Sequence, residues 1–450
     1  MLNKIFHLKD NNTTVLREFI AGLTTFMAMS YAIFIVPIIL SKSGMDYNSA
    51  YYATVIASVI GTLLIGLLAN VPYAQSAGIG LASIFTYTLC SSMGYTYNEA
   101  LALVLICGIV NTIITLSSVR KKLVKAIPSF IQDAITVGIG LFITYIGLIN
   151  SGIIIFKADS IKNGLALGVT PELGSFASPE VLLALIGLVI IIFLNVKKVK
   201  GSYLISIIIT TLIGLPLKVT TIPDFSNYHF APSLNFAAFD FKGLLSAETG
   251  IVILLMTVFT LCISDLFDSL GVFIGTGKKS GIFKITTDGN IPKNLERAMV
   301  ADSLGTICAS FLGTSNVTTY LESTAGIEEG GKTGLTSVFT AIFFLLTLLL
   351  APIVSIIPMA AVAPILIIIG SSMINSITNI DFNNLKHAIP AFFIIVMMPL
   401  AYSITTGIEF GFITYVLVNL FSSKKDRENI SPIIYIFSVL FILKYLFMVF

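Results

Sequence analysis

The sequence predicts an all-α polytopic membrane protein of fourteen transmembrane segments, arranged as two inverted repeats of seven. Three observations predict it: a strongly apolar composition, a series of span-length apolar stretches with basic residues on one side, and an internal echo seven spans apart. Of the 450 residues, 56% are hydrophobic and only 11% charged, and the mean hydropathy is +0.96. Soluble domains carry about 25% charged residues, so a water-soluble enzyme is excluded. The 33 Phe and 16 Tyr exclude disorder, because disordered chains are polar and poor in aromatics. A net charge of +3 is too small to indicate a nucleic-acid partner.

The elements follow in order. Residues 1–18 carry Lys4, Lys9, Asp10 and Arg17 and lack a small-residue cleavage site, so they read as a cytoplasmic N-terminus and not a signal peptide. A bilayer core is crossed by roughly 20 apolar residues. Such stretches lie at 19–40, 49–69, 75–92, 99–118, 129–149, 179–195 and 202–217, which make the first repeat, 19–217. An extracytoplasmic loop, 218–248, follows. The second repeat, 249–422, holds 249–273, 296–313, 317–327, 335–356, 359–377, 388–405 and 407–422, several of them short or interrupted. Residues 423–450 are a basic loop and an apolar stretch from Pro432 that contains Lys444. That stretch is open to three readings: an interfacial helix, a helix packed on the bundle, or a fifteenth span.

Lys and Arg in short loops report orientation. An internal N-terminus places Arg120, Lys121, Lys122 and Lys125 inside, with Lys197, Lys198, Lys200, Lys278, Lys279, Lys284, Lys293, Arg297, Lys332, Lys386, Lys424, Lys425 and Arg427. Only Lys42, Lys157, Lys162, Lys218 and Lys242 fall outside. A missed span would scramble this bias. The C-terminus is therefore also expected inside.

The internal echo is Ile127-Pro128 followed by Gly140, against Ile357-Pro358 followed by Gly370. These mark the fifth and twelfth spans, and an odd number of spans per unit inverts the second copy, as in many secondary transporters. The two most irregular spans, the third and tenth, are also seven apart. The third contains Ser76-Ala77-Gly78-Ile79-Gly80-Leu81-Ala82-Ser83, and the tenth contains Gly313-Thr314-Ser315-Asn316-Val317-Thr318-Thr319-Tyr320-Leu321-Glu322. Gly pairs and Thr/Val runs are poor helix formers, so each span is expected to begin extended and turn helical afterwards. Non-helical backbone at membrane depth survives where protein or a cavity satisfies it, which points to a midplane binding site. The plain alternative is glycine-mediated helix packing.

Acids within apolar spans default to function. Asp265 and Asp268 stand three apart in the eighth span, a spacing that puts both on one helix face. Glu322 stands where the tenth span resumes its helix. Three carboxylates in one dry site cannot all stay ionised comfortably, so Asp265, Asp268 and Glu322 are the candidates for proton coupling. A structural role, bonding Ser, Thr or backbone, is the alternative for each. Asp302 is read as structural, and Asp133 and Glu409 are set aside because they sit near span ends. His7, His229 and His387 fall in loops. Cys90, Cys107, Cys262 and Cys308 lie in apolar runs without C-x-x-C spacing, which excludes zinc and a disulfide framework. The chain has no Walker, G-x-S-x-G or H-E-x-x-H motif, so primary ATP-driven transport by this chain alone is excluded and a membrane enzyme is the weakest of the readings.

The run Arg17–Tyr31 (REFIAGLTTFMAMSY), the segment SDLFDSLG (Ser264–Gly271) and the segment Ala301–Val338 with its TTYLES and GIEEGGKTGL motifs resemble the AzgA-like purine permeases of the nucleobase–cation symporter-2 (nucleobase–ascorbate) class. The stretches Ile127–Leu148, Ile357–Gly370 and Ile389–Tyr415 extend the likeness over nearly the whole chain. The resemblance implies core and gate domains, short strands in spans three and ten, and a purine bound between those strands and the eighth span. It places the family's acids on Asp265, Asp268 and Glu322 and its third-span glycine on Gly80. It further implies proton symport by an elevator-like movement of the core against the gate. One departure bears on specificity: Ala82 stands where the family carries a site Asn, with Ser83 beside it. A site built around a hydrogen bond discriminates strongly by it, so the preferred purine does not carry over.

The expected activity is proton-coupled import of purine nucleobases, guanine and hypoxanthine ahead of adenine, across the plasma (inner) membrane. Asp265, Glu322, Gly80, Ala82 and Tyr320 are the expected substrate-binding residues. The expected partners are the nucleobase, a proton and the lipid bilayer, with a homodimer left open; no cofactor, metal or nucleic acid is expected. The rivals are uracil or xanthine transport on the same fold, and an anion exchanger or channel of a related fold. Three site carboxylates and the lack of Lys or Arg in the third and tenth spans argue against an anion.

Overall fold

A computed structural model describes residues 2–117, 127–158, 161–162, 165–166, 169–199, 201–221, 234–246, 251–280, 282–283, 292–350, 356–422 and 430–449. The basic loop around Lys122, and Lys200, His229, Lys284, Lys424, Lys425 and Arg427, lie outside these residues. Helices dominate, and among the described residues six, counting continuous pairs as one, are long and apolar enough to cross a bilayer on their own: Val15–Ser41, Tyr47–Leu68, Tyr97–Leu116, Ser129–Asn150, Pro179–Val196 and Met359–Asn379. Shorter apolar helices include Ser202–Gly214, Gly334–Thr347, Leu385–Leu400 and Pro432–Leu443. Large apolar side chains face outward, among them Leu16, Val189, Leu349 and Leu446. That surface suits lipid and not water, so the protein is of the multi-pass membrane type.

Local sequence explains the helix ends. Thr14 caps Val15–Met29, and Asp46 caps Tyr47–Leu68 by accepting from the Ser49 N–H. Thr96 and Glu99 form a reciprocal capping box on Tyr97–Leu116. Pro128 and Pro358 each stand immediately before a helix, Ser129–Asn150 and Met359–Met373, where a missing N–H costs nothing. Buried Glu18 accepts from the backbone N–H groups of Lys332, Thr333 and Thr336 at the start of Gly334–Thr347. The first apolar stretch is not one helix. It breaks at Ser30 and Tyr31, and a second helix runs Ala32–Ser41.

The fold is mostly helical, with the short strands expected in the third and tenth spans. Gln75–Ala77 and Val317–Thr319 pair antiparallel, with Ser76 opposite Thr318. Each belongs to a span expected to begin extended, and a helix follows each: Ile79–Ser83, continued as a π-helix over Ile84–Ser92, and Ser323–Glu328. A second antiparallel pair, Ile154–Ala158 with Val169–Leu173, lies between the fifth and sixth apolar stretches. The ribbon was not foreseen. Its outer face carries a Lys157–Glu172 ion pair of 3.6 Å.

A two-stranded sheet buried at membrane depth needs partners for both edges. Helix hydroxyls supply them. Thr62 Oγ1 donates to the Gln75 carbonyl and accepts from the Gln75 N–H, both at 3.0 Å. Thr306 donates to the Val317 carbonyl, and the Thr319 N–H donates to Ser269. Asp302 Oδ1 then accepts from Gln75 Nε2 (2.8 Å), Ser269 Oγ (2.6 Å) and Thr319 Oγ1 (3.1 Å). The structural reading of Asp302 thus has a definite content: it ties both strands to two helices.

The helices pack in two sets. Tyr47–Leu68 packs on Lys293–Leu312, Gly334–Thr347 and Ala32–Ser41, and Lys293–Leu312 also packs on Tyr97–Leu116. Separately, Ser129–Asn150 packs on Met359–Met373 and Leu385–Leu400, which packs on Ile404–Leu420. The echo residues Gly140 and Gly370 meet where Ser129–Asn150 crosses Met359–Met373. A Cβ on Gly370 would strike the Gly140 carbonyl, so the backbones touch. The C-terminal helix Pro432–Val449 rests on Ile404–Leu420, with Ser438 Oγ donating to the Phe412 carbonyl and the Tyr445 hydroxyl donating to buried Glu409 at 2.6 Å.

Candidate functional site

A cavity of about 440 Å³ lies between the two helix sets, within the roughly 300–1,000 Å³ usual for small-molecule sites. One wall is polar and comes from the broken elements: Gly78, Gly80, Thr318, Tyr320 and Glu322, with Ser264 and Asp268 from the helix Ile251–Ser280, and Tyr31. The facing wall is largely apolar, with Ile139, Ile143 and Ile369, and turns polar towards one end at Asp133, Thr136, Ser372 and Ser376. Among the described residues that line it there is no Lys, Arg or His.

The strand pair decides how close the polar groups come. A Cβ added at Gly78 would lie 2.8 Å from Thr318 Oγ1 and 3.4 Å from Asp268 Oδ2, so only glycine lets these groups meet the backbone there. At Gly80 the nearest atom to an added Cβ is Ile139 Cγ2, at 3.2 Å. This glycine therefore keeps the width between the walls. Tyr320 is buried, and its hydroxyl donates to the Ala77 carbonyl at 2.7 Å, locking the tenth segment to the third. Glu322, already in helical conformation, stands immediately before Ser323–Glu328 and accepts a hydrogen bond from the Tyr31 hydroxyl.

Asp268, Glu322, Gly80 and Tyr320 thus meet at one cavity. Asp265 and Ala82 do not line it. Asp265 is buried against Tyr97–Leu116, where Asn111 Nδ2 donates to its Oδ2 at 2.8 Å and Cys107 Sγ lies 4.0 Å away. Residues three apart on a helix differ by about 60° in direction, and at the edge between two environments that angle separates them. Ser264, Asp268 and Val272, spaced by four, form the stripe that faces the cavity. Ala82 is fully buried within its helix, and Ser83 spends its hydroxyl on the Ile79 carbonyl at 2.8 Å. Sequence reasoning missed Tyr31, although it ends the quoted REFIAGLTTFMAMSY run. It also set aside Asp133, which lines the cavity and accepts from Asn379 Nδ2 at 3.1 Å.

Three carboxylates, Asp133, Asp268 and Glu322, with hydroxyls and an apolar facing wall can hold a flat, partly polar solute. A multi-pass helical fold with such a cavity between two packed sets of helices defines a membrane transport protein. Residues 16–410 match the Xan_ur_permease family, described as a permease family, and the chain belongs to it. It is 38% identical to a putative permease of Methanocaldococcus jannaschii, over 99% of this chain and 98% of that one. It is 35% identical to the guanine/hypoxanthine permease PbuO of Bacillus subtilis, over 98% and 99% of the two chains. Its fold resembles the transmembrane domain of a cyanobacterial bicarbonate transporter, BicA, with a TM-score of 0.60 at 18% identity, covering 85% of this chain and 96% of that one. The protein is a permease and not an enzyme.

Proposed function

We propose that the protein imports purine nucleobases, guanine and hypoxanthine ahead of adenine, by proton symport across the plasma (inner) membrane. The observation that carries this reading is the meeting of Asp268 and Glu322 at one cavity whose described lining residues include no Lys, Arg or His. Carboxylates accept from the N–H groups of a base edge, and charge-assisted bonds of this kind are the stronger ones. The likeness to a guanine/hypoxanthine permease supports the same substrate class. Fold likeness to a bicarbonate transporter raises the anion reading, but the three carboxylates at the cavity, Asp133, Asp268 and Glu322, would repel an anion.

In this reading the chain has fourteen spans, with repeats at 19–217 and 249–422 and both termini cytoplasmic. The helix set around Tyr47–Leu68 is the core, and the set around Ser129–Asn150 is the gate. The polar end of the cavity at Asp133, Ser372 and Ser376 then faces the cytoplasm. On the opposite side the sets close on each other: Tyr87 meets Tyr402 edge to face at 5.3 Å, and Lys42 Nζ donates to Asn150 Oδ1 at 2.6 Å. These contacts fit an inward-open arrangement, and sliding the core past the gate would carry the site across. Asp265, Asp268 and Glu322 remain the proton carriers to test.

The test is uptake of labelled hypoxanthine, guanine, adenine, xanthine and uracil into a strain lacking purine transport. Purine uptake should rise as external pH falls, since the inward proton gradient drives it, and collapse with a protonophore. Asp268→Asn and Asp265→Asn, each checked for normal protein level, should separate the roles. Saturable uptake of xanthine or uracil alone would shift the substrate, and uptake of no base would overturn the reading.

A further inference from the structure

We infer that Tyr31 is a positioning residue for substrate recognition, holding the Glu322 carboxylate in the orientation that receives the ligand. The inference rests on reading the cavity as a nucleobase site. Tyr31 sits at the break in the first apolar stretch, between Val15–Met29 and Ala32–Ser41. There its side chain lines the cavity although the residue is only 1% exposed. Its hydroxyl donates to Glu322 Oε1 across 291 positions of sequence.

The neighbours leave this task to Tyr31. Tyr320 lies with its ring 6.3 Å from that of Tyr31, but its hydroxyl is engaged by the Ala77 carbonyl. Tyr203 packs edge to face on Tyr31 at 5.0 Å and does not line the cavity. It braces the ring, so the hydroxyl is held by packing on both sides. Glu322 itself stands in the helical turn that opens Ser323–Glu328, next to Leu321, which is 57% exposed. A carboxylate has about four acceptor positions, so one bond from Tyr31 fixes its plane and leaves the others to the ligand.

The test compares purified full-length variants by calorimetric hypoxanthine binding and the same variants by uptake kinetics. Tyr31→Phe keeps the ring and removes the hydroxyl. Its Kd and KM should rise together by about five- to twentyfold, with Vmax per transporter within about twofold of wild type. A ring needed only for packing would be spared by Phe. Tyr203→Phe should leave both constants unchanged. Introduced into Glu322→Gln, Tyr31→Phe should add less than about twofold, because coupled residues are not additive. Wild-type affinity in Tyr31→Phe, or an undiminished loss in the Glu322→Gln background, would overturn the inference while leaving the nucleobase reading intact. A wild-type protein that binds no nucleobase would overturn both.

Discussion

Glu322 is the residue proposed to recognise the base, and it is the cavity acid that accepts a hydrogen bond from Tyr31, 291 positions away in sequence. Glu322→Gln keeps shape and one carbonyl acceptor but exchanges the other acceptor for a donor. Purine affinity should fall by about 1.5–3 kcal/mol, tenfold to more than a hundredfold. Guanine, with more N–H donors along one edge, should lose more than hypoxanthine. Dissociation constants on the purified variant decide it, and near-native values for both bases would remove Glu322 from the site. The two aspartates show where reading residues in sequence stops. Their spacing was plain, yet which of them faces the cavity depends on where the helix edge meets Cys107 and Asn111. Tyr31 carried no signal of its own, since a tyrosine in an apolar run is ordinary until its partner is known.

The strand pair is the element that makes the cavity, and Asp302 is what secures it. Its one oxygen Oδ1 gathers donors from Gln75, Ser269 and Thr319, so removing the carboxylate strands several buried polar groups at once. Each unsatisfied group costs about 1–3 kcal/mol, and Asp302→Ala should lower stability by at least about 3 kcal/mol. Asp302→Asn, which retains an acceptor, should cost less. Thermal unfolding in detergent would rank the two. If Asp302→Ala melts with wild type while uptake is lost, Asp302 belongs to transport and not to the scaffold. The extended starts of these two spans were legible, because Gly pairs and Thr/Val runs resist helix. The register that sets Ser76 opposite Thr318 was not, for it follows from contacts between segments more than 200 residues apart in sequence.

At the scale of the molecule, orientation is the prediction that tests the arrangement most directly. With half-buried Cys90 and Cys308 replaced to silence background labelling, single cysteines at Lys198, Lys122 and Lys279 should react only with permeant reagent, or after the membrane is opened from the cytoplasmic side. Labelling of any of the three from outside would break the proposed fourteen-span topology.

Composition alone determined that this chain lives in a bilayer, since so few charges cannot cover a water-soluble surface. Its motifs determined the permease family, and its poor helix formers marked the two segments that do not cross as plain helices. Tertiary structure decided the rest. It chose Asp268 over Asp265 for the cavity, turned Ala82 away, brought Gly140 onto Gly370, and laid the last helix against Ile404–Leu420. The physical reason is one of range. Hydropathy and helix propensity act within a few residues and can be read along the chain. Which side of a helix meets a cavity is settled by close packing and hydrogen bonds between segments far apart in sequence.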